Sequence, residues 1–423
     1  MKSLKRKYWI ECCICLLFVL SSCKQGKQQP DSSMSDISGS PLTDMVEDGE
    51  SIQQPDTIIT VFPEPVPVND VKIETNIQRR VPVVIDLSRV LPMNPVKAST
   101  FIQDTRYILL EATKESVMTP SLYITPVQDG FFIQDRIYKK LFHFGADGQF
   151  IGNIASRGQG PGEYVDLWGF GVSEKNKLLY LYASGSHILV YTFDNKFVRS
   201  IQLKERFTSL LKTSWGYIAY NDPLLQPHNF GKEVATLIAL DEDGNELNVL
   251  HHRKVDIQQF PHILSESIFR EFDGKYYYYP ALQDTIYSVQ VDKIIPEYIL
   301  PKGRYSITME DLNSLDRYNA ATARGLLVYG FVIDNHRLMI DCMRQNVREM
   351  YLYDFASEKL IGVSEIVNDL DNSYKYYPQL VYQNQWVDID QPTAFLKSQA
   401  LPATLKNLQP DDNPVIRISG LKP

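Results

Sequence analysis

The sequence predicts an all-β protein, a six-bladed β-propeller whose blades are four-stranded antiparallel sheets. The first sign is a turn that recurs along the chain, at Asp147-Gly148, Asp194-Asn195 and Asp243-Gly244. The turns are 194 − 147 = 47 and 243 − 194 = 49 residues apart, which is the length of one propeller blade. The second sign is a succession of short apolar strands from about Val81 onward, separated by Asp, Gly and Asn.

Five complete units of four strands follow one another along the chain. Each unit contains four short runs rich in Ile, Val, Leu, Phe and Tyr, and turn residues separate the runs. Unit three carries an insertion near 222–233, and a helix is predicted within 309–325, between units four and five. The units span residues 121–155, 167–203, 209–251, 263–301 and 326–366.

Strands left over at the two ends predict a sixth blade that closes the ring. The runs 81–87 and 106–112 precede unit one, and the run 378–389 follows unit five. Pairing the two ends in one sheet removes edges with unpaired backbone groups. The propeller is therefore predicted at 81–395, followed by a C-terminal extension at 396–423. Five or seven blades are the alternatives.

The N-terminus predicts an export signal over residues 1–23. Several basic residues precede a short apolar run, Ile14 to Leu20, and the segment ends Leu20-Ser21-Ser22-Cys23. This ending resembles the lipobox of bacterial lipoproteins, in which the cysteine is lipidated and becomes the new N-terminus, so Cys23 is the predicted lipidation site. The alternative is a membrane-spanning anchor, but that requires about 20 apolar residues.

The segment 24–80 is rich in Gln, Ser, Asp and Pro, which predicts a flexible tether between the anchor and the propeller. The net charge of −8 argues against nucleic-acid binding, because neutralising phosphates requires a basic surface. Cys342 is the single cysteine after the signal and lies in an apolar strand, so we expect a buried thiol and no disulfide framework. The other cysteines are Cys12, Cys13, Cys15 and Cys23.

The segment RGQGPGEY at 157–164 allows two interpretations. Its three glycines let a backbone approach a ligand closely, so its N–H groups and Arg157 could bind an anion. Alternatively it is a conformational joint, with Glu163 and Tyr164 fixing the loop to a neighbouring blade, and we favour this interpretation. The segment is not a P-loop, because the Gly-Lys-Ser/Thr ending is missing and no helix follows.

The strands around RGQGPGEY, with FGADGQFIGNI before it and LLYLYASGSHILVYTFDNKF after it, carry a specific likeness. The sequence resembles the six-bladed β-propeller lipoproteins of Bacteroidota and, more distantly, the NHL-repeat propellers. The resemblance covers roughly residues 81 to 390 and includes the lipoprotein signal. It implies a propeller on an envelope lipoprotein and transfers no catalytic residues. Loops like RGQGPGEY are absent after unit two, where the sequence departs from the pattern.

Metal-assisted hydrolysis or lyase chemistry in the central channel is the enzymatic alternative, with Ca²⁺ as a candidate ion, because carboxylates from several blades can converge on the axis. No HExxH or similar clustered motif is present, and we expect most carboxylates near strand ends to cap turns. The turn register does not align His143 with His187, and the adjacent His251 and His252 point to opposite faces of a strand. The carboxylates are Asp135, Glu163, Asp166, Asp222, Asp273, Asp284, Asp334 and Asp341.

Aromatic side chains are plentiful, with 25 Tyr, 19 Phe and 4 Trp, so some could bind a sugar or a peptide at a propeller mouth. Strand alternation favours core packing for most of them, including those in the run Tyr276 to Tyr279 and the tryptophans Trp168, Trp215 and Trp386.

These observations together predict a binding module at the cell envelope, without catalysis and without a cofactor. The expected partners are the membrane, through the lipid anchor, and an unidentified protein, peptide or glycan, but not nucleic acid. We expect an outer-membrane lipoprotein that faces either the periplasm or the exterior. The second alternative, beside the channel enzyme, is a structural subunit of an envelope or nutrient-uptake complex.

Overall fold

A computed structural model of the chain describes residues 81–258 and 268–422, which form a six-bladed β-propeller. Each blade is an antiparallel sheet of four strands, and two blades have an additional parallel strand at their outer edge. The predicted fold class and the predicted number of blades are therefore confirmed.

Three strands precede the first blade: β1 (Val83–Val84), β2 (Met93–Lys97) and β3 (Ile102–Leu109). The first blade consists of β4 (Leu122–Val127), β5 (Gly130–Asp135), β6 (Lys140–Gly145) and β7 (Phe150–Ile154). The second consists of β8 (Leu167–Ser173), β9 (Leu178–Ala183), β10 (His187–Thr192) and β11 (Phe197–Gln202). The third consists of β12 (Ser209–Thr213), β13 (Gly216–Tyr220), β14 (Glu233–Leu240) and β15 (Glu246–Lys254).

The fourth blade consists of β16 (Ile268–Phe272), β17 (Lys275–Tyr279), β18 (Thr285–Val289) and β19 (Ile294–Ile299). Helix α1 (Leu315–Arg324) follows, inside the segment predicted to be helical. The fifth blade consists of β20 (Leu326–Ile333), β21 (Arg337–Arg344), β22 (Val347–Asp354) and β23 (Lys359–Val367). The last elements are β24 (Leu380–Tyr382), β25 (Gln385–Asp390), helix α2 (Pro392–Leu396) and β26 (Val415–Leu421).

The sixth blade joins the two ends of the propeller, in the strand order β24-β25-β26-β3. Strand β3 pairs antiparallel with β26, so Ile108 lies opposite Ile416. The last strand, β26, is therefore paired on both sides, with β25 and with β3, in the blade that closes the ring.

Two details of the predicted closure are wrong. Strand β26 lies in the segment 396–423, so the sixth blade continues beyond the boundary drawn at residue 395. The segment 81–87 does not join the sixth blade, because β1 pairs in parallel with β19 of the fourth blade. Ile85 and Leu87 are buried between the fourth and fifth blades, and this burial fixes the segment there.

The repeated Asp turns connect the third and fourth strands of the first three blades. Gly148, Asn195 and Gly244 occupy the same point of these turns, with φ of 86°, 60° and 79°. Positive φ favours Gly and Asn, which explains the recurrent residue pair. At the first turn the close approach of another blade adds a second reason, since a Cβ on Gly148 would lie 2.4 Å from Leu109 O.

Apolar side chains from neighbouring blades fill the space between the sheets. Phe132 and Leu141 of the first blade, for example, share one cluster with Leu179 and Leu189 of the second. Such alternation buries one set of side chains against each neighbouring blade. Within the two described segments, no helix has both the length and the apolar character needed to cross a membrane.

The long connections leave the propeller on one face, which we call the loop-rich face. Because strands alternate in direction, the connections between blades and those between the second and third strands of a blade emerge on the same side. The other connections, on the opposite face, are short turns. Among the connections that the structure describes throughout, the longest on the loop-rich face are 110–121, 155–166, 221–232, 300–325, 368–379 and 391–414.

Candidate ligand-binding face

The glycine-rich loop RGQGPGEY lies in the connection between the first and second blades. Gly158 N donates a hydrogen bond to Tyr164 O at 2.9 Å, and Tyr164 N donates one to Ser156 O at 3.1 Å. Arg157 pairs with Tyr164 as an isolated parallel bridge, and its Nε donates to Val165 O at 3.1 Å. The two ends of the loop are therefore joined by hydrogen bonds to its own backbone.

The carboxylate of Glu163 is directed back onto the same loop. Its Oε2 accepts a hydrogen bond from Gly160 N at 2.8 Å, and a Cβ added to Gly158 would lie 2.0 Å from this oxygen. A carboxylate of the loop itself therefore occupies the place where an anion would approach these glycines. This geometry favours the conformational joint over the anion site.

Tyr164 connects the loop to the core between the first two blades. Its side chain is buried in the cluster that contains Phe132 and Leu167, and this burial raises the pKa of Tyr164 to about 12. Tyr191 supports the same loop by donating a hydrogen bond from its hydroxyl to Gly162 O at 2.5 Å. Arg157, Glu163 and Tyr164 thus lie together: Arg157 and Glu163 are exposed and hydrogen-bond to backbone in or beside the loop, whereas Tyr164 is buried.

An exposed apolar surface adjoins this loop, and we call it the apolar patch: Ile137, Tyr138, Val165 and Trp168. Asp166 joins its two segments. One carboxylate oxygen of Asp166 lies 3.4 Å from Lys139 Nζ, and the other accepts a hydrogen bond from Trp168 Nε1 at 2.9 Å. Trp168 is 42% exposed, so this tryptophan is not part of the core.

A cavity of about 650 Å³ opens between connections of the third, fourth and fifth blades, also on the loop-rich face. Its size lies within the range of small-molecule sites. The lining residues come from the end of β15, from the turn between β17 and β18, and from the connection before α1: Arg253, Asp256, Leu282, Gln283, Asp284, Ser306, Ile307, Thr308, Met309 and Glu310.

Arg253 is the unusual member of this lining. It is only 6% exposed, and its Nε and Nη1 have no hydrogen-bond partner among the described residues. Other buried arginines of the propeller are paired with carboxylates, as in Arg344 with Glu349 at 2.9 Å and Arg417 with Asp388 at 2.7 Å. A buried cation without a counterion is unfavourable, because burial removes its hydration.

Two carboxylates of the cavity are already neutralised by lysines. Lys302 is buried, and its Nζ lies 2.6 Å from Asp284 Oδ1 and 2.5 Å from Gln283 O. Burial lowers the pKa of Lys302, and the charge of Asp284 opposes that effect. Asp256 lies 2.9 Å from Lys254 Nζ. No ion pair of the described residues joins either carboxylate to Arg253.

His251 lies two residues before Arg253 in β15, and the positive charge of Arg253 affects its pKa. Burial, together with the charges of Arg253 and His252, lowers the pKa of His251 to about 4. The ring packs against Tyr278 and Tyr287, with centroid distances of 5.9 and 5.8 Å. His251 is therefore neutral at pH 7, whereas its neighbour His252 is exposed, on the opposite side of the strand as expected.

The carboxylates considered as metal ligands are spread over the blades. Asp135 accepts backbone hydrogen bonds from Thr119, Ile137 and Tyr138, and Asp222 caps a short helical turn through Leu224 N. They stabilise turns, as expected from their positions. In the part of the chain that the structure describes, no three His, Cys, Asp or Glu side chains are grouped so that they could hold a metal ion.

Cys342 is buried, and burial raises the pKa of its thiol, which agrees with a structural rather than a nucleophilic role. The predicted lipidation site, Cys23, lies outside the described residues.

The sequence did not point to Arg253 or to the cavity. The one available signal was a basic residue on the same side of a strand as His251, in NELNVLHHRK, and exposed outer strands often show that pattern.

The fold has relatives among solved structures. A Bacteroides fragilis protein described as exported has a TM-score of 0.64 at 14% identity, over 81% of this chain and 100% of that protein. A member of the DUF4221 family from Bacteroides vulgatus has a TM-score of 0.48 at 9% identity, over 76% and 97% of the two chains. BamB from Moraxella catarrhalis has a TM-score of 0.36 at 10% identity, over 75% and 99%.

At these identities the first of these structures supports the fold alone. A comparison with curated proteins gave no match. The resemblance to propellers of Bacteroidota is supported at the level of the fold. The model of one protein family, described as a domain of unknown function, matches residues 82–419. This match spans the whole propeller and most of the chain, which therefore belongs to the DUF4934 family.

Proposed function

We propose that the protein is an envelope-anchored binding module that holds a small polar ligand in the cavity of its loop-rich face. The observation that carries this proposal is Arg253, a buried guanidinium that lines the cavity and has no partner for its Nε and Nη1 among the described residues. A site of this kind provides a concave surface and one strong polar group to orient a ligand.

Binding is a better account of this site than catalysis. Asp284 and Asp256 pair with lysines, and His251 lies among tyrosines in the core. A reaction requires a nucleophile or an acid and base within reach of one bound atom. The cavity lining offers charged groups for recognition. The hydroxyl of Thr308 does donate to Asp311 Oδ2 at 3.1 Å, but Thr308 N donates to the same oxygen at 2.9 Å, so this carboxylate caps a turn.

The envelope location is supported by the N-terminal sequence and by the exported relative. The signal over residues 1–23 ends in the lipobox-like Leu20-Ser21-Ser22-Cys23, and 24–80 has the composition of a tether. The B. fragilis propeller is described as exported. In this proposal the lipid on Cys23 anchors the propeller at the outer membrane.

A cavity-blocking variant tests the binding function. Thermal melting of the full-length chain is followed with free amino acids, dipeptides, neutral sugars, sugar acids and sugar phosphates. A ligand that binds only the folded state raises the melting temperature. We expect at least one class to do so, and the shift to disappear in Thr308→Trp but to persist in Ala323→Trp, which changes an exposed position of α1 outside the cavity lining. If no class stabilises the protein, the cavity is not a ligand site.

Membrane anchoring is tested separately. Cys23→Ser removes the proposed lipid acceptor, so the variant should leave the membrane fraction while the wild-type protein stays in it. Retention of Cys23→Ser in the membrane would contradict the lipoprotein proposal without affecting the cavity.

The apolar patch supports a second candidate function, docking of a protein partner in an envelope complex. Exposed Trp and Tyr side chains next to aliphatic ones are typical of interface centres. A photo-crosslinking amino acid in place of Trp168, tested in cells, should then capture one defined protein, and the same substitution at Leu247, exposed on the outer strand β15 of the third blade, should not.

A further inference from the structure

We propose that the ligand of the cavity carries a carboxylate and that this carboxylate pairs with the guanidinium of Arg253. The inference rests on the binding function proposed above and specifies the chemistry of the ligand. Three observations support it: Arg253 lines the cavity without a carboxylate partner among the described residues, the other buried arginines are paired with carboxylates, and acidic groups lie around the cavity.

Arg253 is 94% buried and remains charged, since guanidinium groups do not lose their proton in proteins. Its Nε and Nη1 lack partners among the described residues, and so does Nη1 of Arg337 and of Arg344. What distinguishes Arg253 is the missing carboxylate, because the buried Arg337, Arg344 and Arg417 have Asp or Glu side chains at 3.5, 2.9 and 2.7 Å. The described chain thus pairs these three buried guanidinium groups and leaves Arg253, at the cavity, without a carboxylate.

A ligand can supply the missing anion. Carboxylate and guanidinium form strong, charge-assisted hydrogen bonds whose planar geometry fixes orientation. Formation of this pair would compensate the unfavourable burial of the cation, so the bound state gains a contact that the empty state lacks. The walls beside Arg253 include Leu282, Ile307 and Met309, which surround the pair with apolar surface.

The other charges of the cavity favour a single carboxylate over a phosphate. Of the carboxylates that line the same cavity, Asp256 and Asp284 are paired with lysines, so the charge of Glu310 is the one that disfavours a dianion. The same carboxylates can accept hydrogen bonds from ammonium or hydroxyl groups. The geometry therefore points to a monocarboxylate flanked by hydrogen-bond donors. Amino acids or peptide ends and sugar acids share this chemistry.

Matched pairs of probes test the carboxylate directly. Melting of the full-length chain is measured with glycine, L-alanyl-L-alanine and D-glucuronate, with their amides glycinamide, L-alanyl-L-alaninamide and D-glucuronamide, and with glucose 6-phosphate. We expect at least one carboxylate to raise the melting temperature by roughly 4 °C at a hundredfold excess over its Kd. Its amide and the phosphate should have no effect. The peptide and sugar arms distinguish the two sources.

Two Arg253 variants and one control complete the test. In Arg253→Gln the carboxylate shift should vanish, whereas Arg199→Gln, which removes an exposed arginine paired with Asp243, should keep it. Without ligand, Arg253→Met should melt at or above the wild-type temperature, because an unpaired buried charge is removed.

The outcomes separate the two proposals. If amides or neutral sugars stabilise the protein as well as the carboxylates do, or if the shift persists in Arg253→Gln, the carboxylate inference is wrong and the binding function stands. If no probe of any class acts, both fail. A marked loss of stability in ligand-free Arg253→Met would show that the guanidinium already has a structural role, and this too would overturn the inference.

Discussion

The guanidinium of Arg417 donates hydrogen bonds to both carboxylate oxygens of Asp388, from Nε to Oδ1 at 3.0 Å and from Nη2 to Oδ2 at 2.7 Å. The two residues lie directly opposite each other on β26 and β25, and both are buried. Arg417 also donates to the backbone oxygens of Tyr374 and Lys375, at 2.6 and 2.8 Å. One buried side chain thus joins the C-terminal strand to the rest of the sixth blade.

Removal of Asp388 should destabilise the propeller strongly. Asp388→Ala leaves the Arg417 charge buried without its partner, so we expect a loss of about 3–5 kcal/mol in the free energy of unfolding. Urea denaturation measures this change. The double variant Asp388→Leu with Arg417→Met should recover much of the loss, because neither charge remains.

An exposed ion pair provides the control. Asp129→Ala removes the partner of Lys177 at 3.3 Å, and both side chains are largely exposed. Such pairs contribute about 0–1 kcal/mol. An Asp388→Ala loss as small as that of Asp129→Ala would show that the buried pair does not hold the ring closed.

The C-terminal strand should be indispensable for a cooperative fold. A chain that ends at residue 409 lacks β26, which pairs with β25 on one side and β3 on the other. Strands β25 and β3 would each lose their backbone hydrogen bonds to β26, and the ring would open. We expect a broad, non-cooperative thermal transition by circular dichroism. A chain that ends at Leu421 keeps the strand and should melt as the full chain does.

Local sequence patterns predict the blades well because each blade is a local structure. The turns at Gly148, Asn195 and Gly244 require positive φ, and this requirement is visible in the sequence. The sixth blade, which closes the ring, depends instead on pairing between strands that are distant in the sequence. Ile108 pairs with Ile416, and no local pattern indicates which distant strand is the partner. The two-residue strand β1 is likewise fixed by burial of Ile85 and Leu87 between blades, which the sequence does not reveal.

The candidate site was harder to predict for a related reason. The burial of Arg253 depends on which side of β15 faces the fourth blade and on the connection that contains Ser306 and Thr308. A basic residue in an outer strand is usually solvated, so the type and position of Arg253 do not indicate that it is buried. By contrast, Glu163 and Tyr164 were identified from their own loop, and the structure places both in contact with that loop or with the adjacent core.

Gly162 should tolerate no side chain. Its φ is 80°, and an added Cβ would lie 2.8 Å from Tyr191 Oη and 3.0 Å from the Phe197 ring. Gly162→Ala therefore combines backbone strain with a steric clash, and we expect a loss of about 1–3 kcal/mol in the free energy of unfolding. Gly152→Ala is the matched control, since no atom lies within 4 Å of its added Cβ. Equal losses of stability in the two variants would contradict the conclusion that positive φ and close packing require glycine at position 162.

The propeller should become less stable as the pH is lowered, because of His251. Burial lowers the pKa of His251 to about 4 in the folded protein, whereas the unfolded chain has the usual value near 6.5. Between these pH values the unfolded state binds a proton that the folded state does not. Lowering the pH therefore stabilises the unfolded state and decreases the free energy of unfolding. The contribution is complete above pH 6.5 and is lost as the pH falls to about 4. Each unit of difference corresponds to about 1.4 kcal/mol, so we expect roughly 2–3 kcal/mol over this range.

Comparison with a variant isolates this contribution from the titration of carboxylates. His251→Phe keeps an aromatic ring against Tyr278 and Tyr287 and removes the titrating group, so its stability should change less than that of the wild-type protein between pH 6.5 and 4. Urea denaturation at a series of pH values measures both curves. His252→Gln removes one of the charges that lower the pKa of His251, so its slope should lie between those of the wild-type protein and His251→Phe. Parallel curves for wild type and His251→Phe would mean that this imidazole accepts a proton in the folded protein and that the strand does not hold it neutral.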